Sequence, residues 1–225
     1  YGEDCRACWT VPEGYKLLGI DASGLELRLL AHYMDDSNYI DEIINGDIHT
    51  TNQELAGLES RDKAKTFIYA LIYGAGDEKL GKVVGENREA GTVLRKRFLT
   101  NLPALENLTT RVREASRRGF LKGLDGRKIF VRHEHAALNT LLQGGGAIAM
   151  KKAMCIFHTH IQLNTLDAKF VANIHDEWQM QVKESIAEFT GLTGVEAIER
   201  AGKHFNLRCP LTGEYKVGEN WSETH

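Results

Sequence analysis

The sequence predicts an α+β fold, with antiparallel strands beside a large helical part. Three observations lead to this prediction. Residues 15–22, "YKLLGIDA", are typical of a short buried strand. Residues 168–183, "AKFVANIHDEWQMQVK", have apolar residues on both sides of a polar centre and are typical of a hairpin. The apolar spacing of 61–73 is helical. Strands and helices that do not alternate as βαβ units favour the α+β class.

The first half of the chain is predicted to be mostly helical after the strand at 15–22. Ser23-Gly24 interrupts the pattern, and the leucine spacing of "LELRLLAHYM" then predicts a helix. Residues 38–59 favour short helices around an Asn-Gly-Asp turn. Residues 61–73 predict a strong helix that Gly74 ends, since glycine adopts left-handed backbone conformations at helix ends.

The second half combines helices with two hairpins. Residues 87–120 are predicted to be helical and basic, and "LKGLDGRKIFVR" is predicted to be a hairpin. Residues 135–162 predict one long helix despite Gly144-Gly145-Gly146, which cost roughly 1 kcal/mol each relative to alanine. That cost indicates a close approach of other atoms to the helix backbone. A last helix is predicted at 185–204.

Length and composition are those of an ordinary globular protein. The 225 residues are 42% apolar and 26% charged, enough for one large domain or two small ones. No apolar run approaches the ~18 residues of a membrane span, and no signal peptide is recognisable, so we expect no membrane partner and a cytoplasmic location. The first residue is not Met, which indicates a processed or partial product. Cys5 and Cys8 have the spacing of half a zinc site without a second half, so reduced thiols are expected.

Charge is distributed unevenly along the chain. Residues 1–60 hold 3 Lys/Arg and 12 Asp/Glu, a net of −9, whereas 61–132 hold 17 and 8, a net of +9. The remaining residues are near neutral at −3. Basic clusters suit a polyanion and acidic clusters suit divalent cations, although a solvated helical surface would show similar charge.

One face of the helix at 61–73 combines cations with aromatic rings. Arg61, Lys65, Tyr69 and Tyr73 are each four residues apart, so they follow one slowly turning stripe. Two cations followed by two rings suit a phosphate chain that continues into a flat base. The alternative is a surface helix with a fortuitous stripe.

Two pairs of carboxylates stand near predicted strand ends. Asp21 ends the first strand and Glu26 follows it, while Asp176 and Glu177 lie at the hairpin turn. If the strands are neighbours, Asp21 and Asp176 meet at one sheet edge, where they would repel unless protonated or bound to metal. Oxygen-only ligands suit magnesium, and two ions about 4 Å apart suit phosphoryl transfer. The alternative is two unrelated turn aspartates.

Three segments resemble a known enzyme family in the expected order. These are "DASGLELR" (21–28), "RDKAKTFIYALIYG" (61–74) and "HDE" (175–177), which resemble the polymerase motifs of family A DNA polymerases. The segments "YGEDCRA", "NGDIHT", "KGLDGRK" and "HAALNTLLQ" and the ending "NW...H" are similar to replicative polymerases of podophages, whose thumb recruits host thioredoxin. The resemblance runs over nearly the whole chain.

The resemblance implies an antiparallel palm sheet with a mostly helical fingers subdomain. It divides the chain into a first palm segment (1–34), fingers (35–122) and a second palm segment (123–225). It implies a template-directed DNA polymerase that adds dNTPs to a primer 3′-hydroxyl by two-metal phosphoryl transfer.

The catalytic and metal-binding residues implied by the resemblance come from the strand ends and the basic helix. Two Mg²⁺ ions would be held by Asp21 and Asp176 with the carbonyl of Ala22. Lys65 would be catalytic, as proton donor to pyrophosphate. Glu177 would support the ligands without binding metal.

The resemblance also implies the nucleotide and DNA contacts. Arg61, Lys65 and His49 would bind the triphosphate. Glu26 would lie under the sugar, hydrogen-bonded to Tyr69, where a 2′-hydroxyl would clash.

On the DNA side, Tyr73 and Gly74 would lie beside the templating base. Gln143 would read the minor groove at the primer end, and His175 would contact the primer terminus.

The family's thumb and 3′–5′ exonuclease motifs are not recognisable in these 225 residues. We therefore expect a truncated polymerase, or one half of a split polymerase whose N-terminal partner carries them. Primer-template DNA and dNTPs are the expected ligands, with a thioredoxin-like processivity factor acting only through the thumb. The expected setting is the cytoplasm of a phage-infected bacterium. The alternatives are a non-catalytic remnant that binds DNA or a partner, and a metal-dependent nuclease that uses the same aspartates.

Overall fold

The computed structural model describes residues 2–225, and the chain forms two compact units. One unit comprises the chain up to Leu25 together with Gly146–His225, and the other comprises Glu26–Gly145. Antiparallel strands and many helices confirm the predicted α+β class. The division of the chain into palm and fingers segments after residues 34 and 122 stays a prediction. The boundaries between the two compact units lie after Leu25 and after Gly145.

The elements follow one another in chain order. The helices are α1 (Gly2–Ala7), α2 (Leu25–Met34), α3 (Ser37–Asn45), α4 (Ile48–Ala56), α5 (Arg61–Ile72), α6 (Asp77–Val83), α7 (Arg88–Asn101), α8 (Pro103–Ser116), α9 (Ala137–Leu163), α10 (Ala187–His204) and α11 (Trp221–Thr224). The strands are β1 (Tyr15–Ala22), β2 (Phe120–Lys122), β3 (Lys128–Phe130), β4 (Ala168–Ile174), β5 (Glu177–Lys183) and β6 (Gly213–Gly218).

Most predicted elements agree with these bounds to within a few residues. The basic stretch predicted as one helical region divides into α7 and α8, because Pro103 has no amide hydrogen and favours the first helical position. Four elements are not among those predicted from the sequence: α1, α6, β6 and α11. Short helices and an edge strand carry too few residues for a clear periodicity.

A four-stranded antiparallel sheet organises the first unit, in the order β4-β5-β1-β6. Its core contains the fully buried side chains of Leu18, Ile20 and Trp178. The ring of Phe157, from α9, stacks at 5.9 Å from the Trp178 ring. Helix α10 packs along β1 and β6. This packing holds β1 between two partner strands and fixes where its end residue lies.

Helices α2 to α8 and the β2–β3 hairpin make up most of the second unit. The buried face of α5 includes Phe67, whose ring meets Phe98 of α7 edge-on at 5.2 Å. The predicted close approach to the glycine-containing helix is confirmed at Gly144, where an added Cβ would lie 2.7 Å from Ile129 Cδ1 of β3. Within residues 2–225, no helix combines the length and apolar content needed to cross a membrane.

Candidate active site

The end of β1 lies between the ends of two neighbouring strands. Asp21 is opposite Glu177 of β5 on one side and opposite Glu214 of β6 on the other. The hairpin turn between β4 and β5 consists of His175 and Asp176, and the Ala22 amide donates to the Asp176 carbonyl at 3.1 Å. The prediction that the two strands are neighbours is therefore confirmed. Acidic residues from three strands and one turn converge at this sheet edge, which we call the carboxylate edge (Asp21, Asp176, Glu177 and Glu214).

The electrostatic environment of Asp21 disfavours its charged form. Burial contributes most, followed by the negative charges of Asp176, Glu177 and Glu214, and together they raise the pKa of Asp21 to about 6. His225 acts in the opposite direction and lowers it. A group of carboxylates with this repulsion is suited to bind a cation.

Backbone strain is present at the turn itself. His175 has a φ of 54°, in the left-handed region that residues other than glycine rarely adopt. A strained residue beside a carboxylate is typical of functional sites, where the surrounding structure holds the conformation. Here the β4–β5 register, with Ile174 opposite Glu177, fixes the two-residue turn.

Glu177 is turned inward and held by side chains. Its carboxylate is buried, accepts a hydrogen bond from Trp221 Nε1 at 2.8 Å and lies 2.6 Å from His225 Nδ1. Gln179 also donates to it, and the Thr224 hydroxyl donates to the Gln179 side-chain carbonyl at 2.8 Å. These contacts occupy both carboxylate oxygens. Trp221, His225 and Gln179 are not among the residues predicted from the sequence. Trp221 and His225 gave no signal, because they lie 44 and 48 residues further along the chain. Gln179 lies two residues from Glu177 on β5, and the alternation of strand side chains, which places both on one face, could have indicated it.

The donor set at the carboxylate edge fits magnesium. No group of three or more His, Cys, Asp or Glu suited to a metal ion occurs in residues 2–225. Asp21 and Asp176, whose negative charges interact, would supply two carboxylates, and the ion would complete its shell with water, backbone carbonyl or substrate oxygens. Magnesium usually binds in this way, through one or two carboxylates plus waters and phosphates.

Helix α5 has the predicted amphipathic division. The Ser60 hydroxyl caps it by accepting a hydrogen bond from the Lys63 amide at 3.3 Å. Arg61, Lys65 and Tyr73 are exposed and Tyr69 is half-buried, while the residues facing the core are buried. The Tyr69 and Tyr73 rings lie 6.1 Å apart. The stripe of two cations and two rings therefore exists as a continuous face.

Helix α4 contributes a histidine and a carboxylate beside this face. The His49 ring lies 6.3 Å from the Tyr69 ring, and burial together with the charges of Arg61 and Lys65 lowers the pKa of His49. Asp47 accepts from Arg61 Nε at 2.6 Å and from Arg61 Nη2 at 3.1 Å. Asp47 is not among the site residues predicted from the sequence.

The C-terminal end of α5 turns at Gly74, as predicted. Gly74 has a φ of 79°, and an added Cβ would lie 3.1 Å from the His135 carbonyl oxygen. The Ala75 amide donates back to Ala70 at 2.9 Å, which closes the helix end.

Glu26 is joined to two other predicted site residues. Its Oε1 accepts from the Tyr73 hydroxyl at 3.1 Å and from Gln143 Nε2 at 2.9 Å. The hydrogen bond between Glu26 and Tyr69 that the family resemblance implies stays a prediction. The contacts of Tyr73 and Gln143 with Glu26 are not among those predicted from the sequence, since helical spacing gives no information about partners on other helices.

The predicted site residues thus fall into two groups. The first unit contains Asp21, Ala22, His175, Asp176 and Glu177. The second unit contains the remaining ones: Glu26, His49, Arg61, Lys65, Tyr69, Tyr73, Gly74 and Gln143.

Comparison with known proteins assigns the chain to a family. The model of DNA polymerase family A matches residues 1–223, and the chain belongs to that family. A POL domain of Pol1 from M. smegmatis, solved in complex with DNA primer-template and dNTP, has a similar fold. Its TM-score is 0.88 at 24% identity, over 99% of this chain and 43% of that chain.

The chain is similar to particular phage and bacterial enzymes. The chain is 44% identical over 260 residues to the DNA-directed DNA polymerases of Enterobacteria phage T3 and Escherichia phage T7. It is 30% identical over 246 residues to DNA polymerase I of Pseudomonas aeruginosa. All of this chain is covered in each case, but it spans 37% of the phage proteins' length and 27% of the bacterial protein's length.

Proposed function

We propose that this chain is the nucleotide-adding core of a template-directed DNA polymerase, made of palm and fingers, which joins dNTPs to a primer 3′-hydroxyl. The observation that carries the proposal is the pairing of β1 with β5, which brings Asp21 to the level of the His175-Asp176 turn. Family A membership supports the same reaction.

The carboxylate edge would hold two magnesium ions through Asp21 and Asp176, with the Ala22 carbonyl as a further ligand. Bound magnesium supplies a lowered pKa for the primer hydroxyl and neutralises charge on the triphosphate. Glu177 would not bind the ions itself, because its carboxylate already contacts Trp221 and His225. It would stabilise the strand ends next to the two aspartates. Fixed strands keep the two aspartates at a constant spacing.

The nucleotide phosphates would bind the exposed face of α5. Arg61 and Lys65 supply positive charge, and Lys65 also holds a proton that it can donate to the leaving pyrophosphate. His49 lies beside them, and its lowered pKa favours the neutral ring at neutral pH. A neutral imidazole can donate one hydrogen bond to a phosphate oxygen.

The sugar would lie against Glu26 and Tyr69, which would exclude a 2′-hydroxyl and select dNTPs. A tyrosine at position 69 also offers a hydroxyl near the sugar, which implies poor rejection of dideoxynucleotides. We expect Tyr69→Phe to raise discrimination against dideoxynucleotides sharply, measured as the ratio of incorporation efficiencies for the two substrates. Equal ratios in the two proteins would contradict this assignment.

The templating base and primer end would meet Tyr73, Gly74, Gln143 and His175. The ring of Tyr73 is 46% exposed and can stack on a base. Gln143 carries an amide that can read minor-groove acceptors, which are nearly the same for every correct pair. The M. smegmatis POL domain was solved with primer-template and dNTP, which supports these ligands here.

The phage relatives are longer than this chain, which spans 37% of their length. We propose that a thumb and an exonuclease act from an N-terminal polymerase segment, and that a thioredoxin-like factor acts only through the thumb. Phosphate contacts dominate affinity for DNA, so such a segment would strengthen binding. We place the activity in the cytoplasm of a phage-infected bacterium.

Primer extension with Mg²⁺ tests the proposal. The chain would be assayed alone and with a supplied N-terminal polymerase segment, and extension is expected at least with the segment. Extension in neither case, together with intact binding of primer-template, would favour the non-catalytic alternative and contradict the polymerase assignment.

A further inference from the structure

Asp47 connects two groups that the proposed function assigns to triphosphate binding. It precedes α4 as its N-cap, and its Oδ1 accepts from the His49 amide at 3.1 Å. The same carboxylate accepts from the Thr50 hydroxyl at 2.9 Å and from two nitrogens of Arg61, at 2.6 and 3.1 Å. One side chain therefore fixes the start of α4, which carries His49, and the guanidinium at the start of α5.

The guanidinium of Arg61 has two hydrogen-bonding edges, and Asp47 binds only one of them. Asp47 binds Nε and Nη2 of Arg61, which is the lateral edge of the guanidinium. The terminal edge, formed by Nη1 and the second hydrogen of Nη2, is left for another acceptor. Within residues 2–225, Asp47 is the only side chain hydrogen-bonded to the Arg61 guanidinium. Arginine can bind a carboxylate and a phosphate at the same time through these two edges.

We propose that Asp47 is a positioning residue for nucleotide binding, which holds the lateral edge of Arg61 so that the terminal edge faces a triphosphate. This inference rests on the proposed function and names the residue that orients its phosphate site. Asp47 does not compete with the phosphate, since the two acceptors use different edges of one guanidinium.

Two further observations agree with a permanent Asp47–Arg61 pair. The Arg61 guanidinium holds the pKa of Asp47 well below its usual range, so the carboxylate is charged wherever a polymerase would work. The Arg61 side chain is half exposed, so without Asp47 it would sample many rotamers. A restricted arginine loses less freedom when a phosphate binds.

The test measures phosphate binding and turnover in Asp47→Asn and Asp47→Ser. Asparagine and serine cap helices about as well as aspartate, so α4 should stay intact while the bidentate pair is lost. We expect binding of inorganic tripolyphosphate, measured by calorimetry, to weaken about fivefold, since the pair is charge-assisted but exposed. The KM for dNTP should rise by a similar factor, while kcat changes less than about twofold.

Two control variants separate the pair from general charge and capping effects. Glu59→Gln removes a carboxylate that pairs with Lys63 at 2.6 Å, also on α5. Asp36→Asn changes another aspartate N-cap, which caps α3 by accepting from two backbone amides. Neither should change tripolyphosphate binding.

A double-mutant cycle with Arg61→Ala completes the test. If Asp47 acts through Arg61, Asp47→Asn should have no further effect on binding when Arg61 is already alanine. Equal effects in both backgrounds, or tighter binding in Asp47→Asn, would overturn the positioning role alone. Absence of tripolyphosphate binding in the unmutated protein would overturn the phosphate site of the proposed function as well.

Discussion

The carboxylate edge and the exposed face of α5 achieve their geometry in different ways. At the carboxylate edge, Asp21 is fixed by backbone pairing to two strands, opposite Glu177 and Glu214. On the face of α5, the guanidinium of Arg61 is located by a side-chain pair with Asp47. Backbone registers hold positions more rigidly than exposed ion pairs do. Substitutions of the two proposed metal ligands at the carboxylate edge should therefore abolish function, whereas substitutions on the helix face should reduce it gradually.

The two regions also place carboxylates in opposite electrostatic environments. Burial and neighbouring acids raise the pKa of Asp21, whereas the Arg61 guanidinium lowers the pKa of Asp47. A carboxylate that already has a cation partner needs no metal. Asp21, by contrast, is destabilised as an anion, and it is the better candidate for binding magnesium.

The largest effect is expected at the hairpin turn. Asp176→Asn should lower the rate of nucleotide addition by roughly 10³-fold or more, since metal-assisted stabilisation amounts to several kcal/mol. Primer-template binding should change less than about twofold, because phosphate contacts elsewhere dominate it. Single-nucleotide incorporation and a gel-shift assay measure the two quantities. Glu214→Gln, at the same edge, is the control with a much smaller effect. Extension by Asp176→Asn at a normal rate would refute the metal site.

A smaller loss is expected on the helix face. Lys65→Ala should lower kcat/KM about 10²-fold, since it removes a positive charge and a proton donor. Steady-state extension over a range of dNTP concentrations measures this. Lys63→Ala is the matched control, because Lys63 pairs with Glu59 on the same helix. Equal losses in the two variants would show that general charge, and not position on the stripe, is responsible.

A still smaller loss of activity is expected when the residue beside the two aspartates, Glu177, is changed. Glu177→Gln should lower the free energy of unfolding by about 1–3 kcal/mol, because a buried amide donor would replace one carboxylate oxygen and would face either Trp221 Nε1 or His225 Nδ1. Polymerisation should fall about tenfold at most, since Glu177 does not bind metal on this proposal. Urea denaturation and extension assays measure the two effects. Glu219→Gln changes an exposed carboxylate and should leave both unchanged. A loss as large as that of Asp176→Asn would make Glu177 a metal ligand.

The sequence predicted those parts of the fold and site that depend on local periodicity. Strand β1 and helix α2 begin and end at the predicted residues, and the stripe on α5 follows from spacing of four. The prediction that Asp21 lies near Asp176 required one assumption, namely that two apolar strands pair with each other. The observed sheet confirms this pairing.

The remaining features depend on long-range side-chain contacts. Trp221 and His225 reach Glu177 from 44 and 48 residues away in the sequence, and Gln143 reaches Glu26 from 117 residues away. Nothing in local spacing encodes such pairs. The Asp47–Arg61 pair spans only 14 residues, but it depends on the angle between α4 and α5, which periodicity does not give.

The smallest expected effect concerns stability at the carboxylate edge. The folded-state pKa of Asp21 is about 6, above its ordinary value of 3.8. The contribution of Asp21 to the stability of the folded state is therefore fully present below about pH 4 and is lost as the pH rises through 6. At pH 7 without metal, Asp21→Asn should therefore raise the free energy of unfolding by about 1 kcal/mol, discounted because the side chain is only half-buried. This increase in the free energy of unfolding should be smaller at pH 5.

Thermal denaturation in EDTA measures the stability of the variant and of the unmutated protein. Added Mg²⁺ should stabilise the unmutated protein more than the variant. Asp167→Asn, an exposed carboxylate beside Tyr15, is the control. A variant that is less stable at pH 7 without metal would show that Asp21 is not repelled by its neighbours.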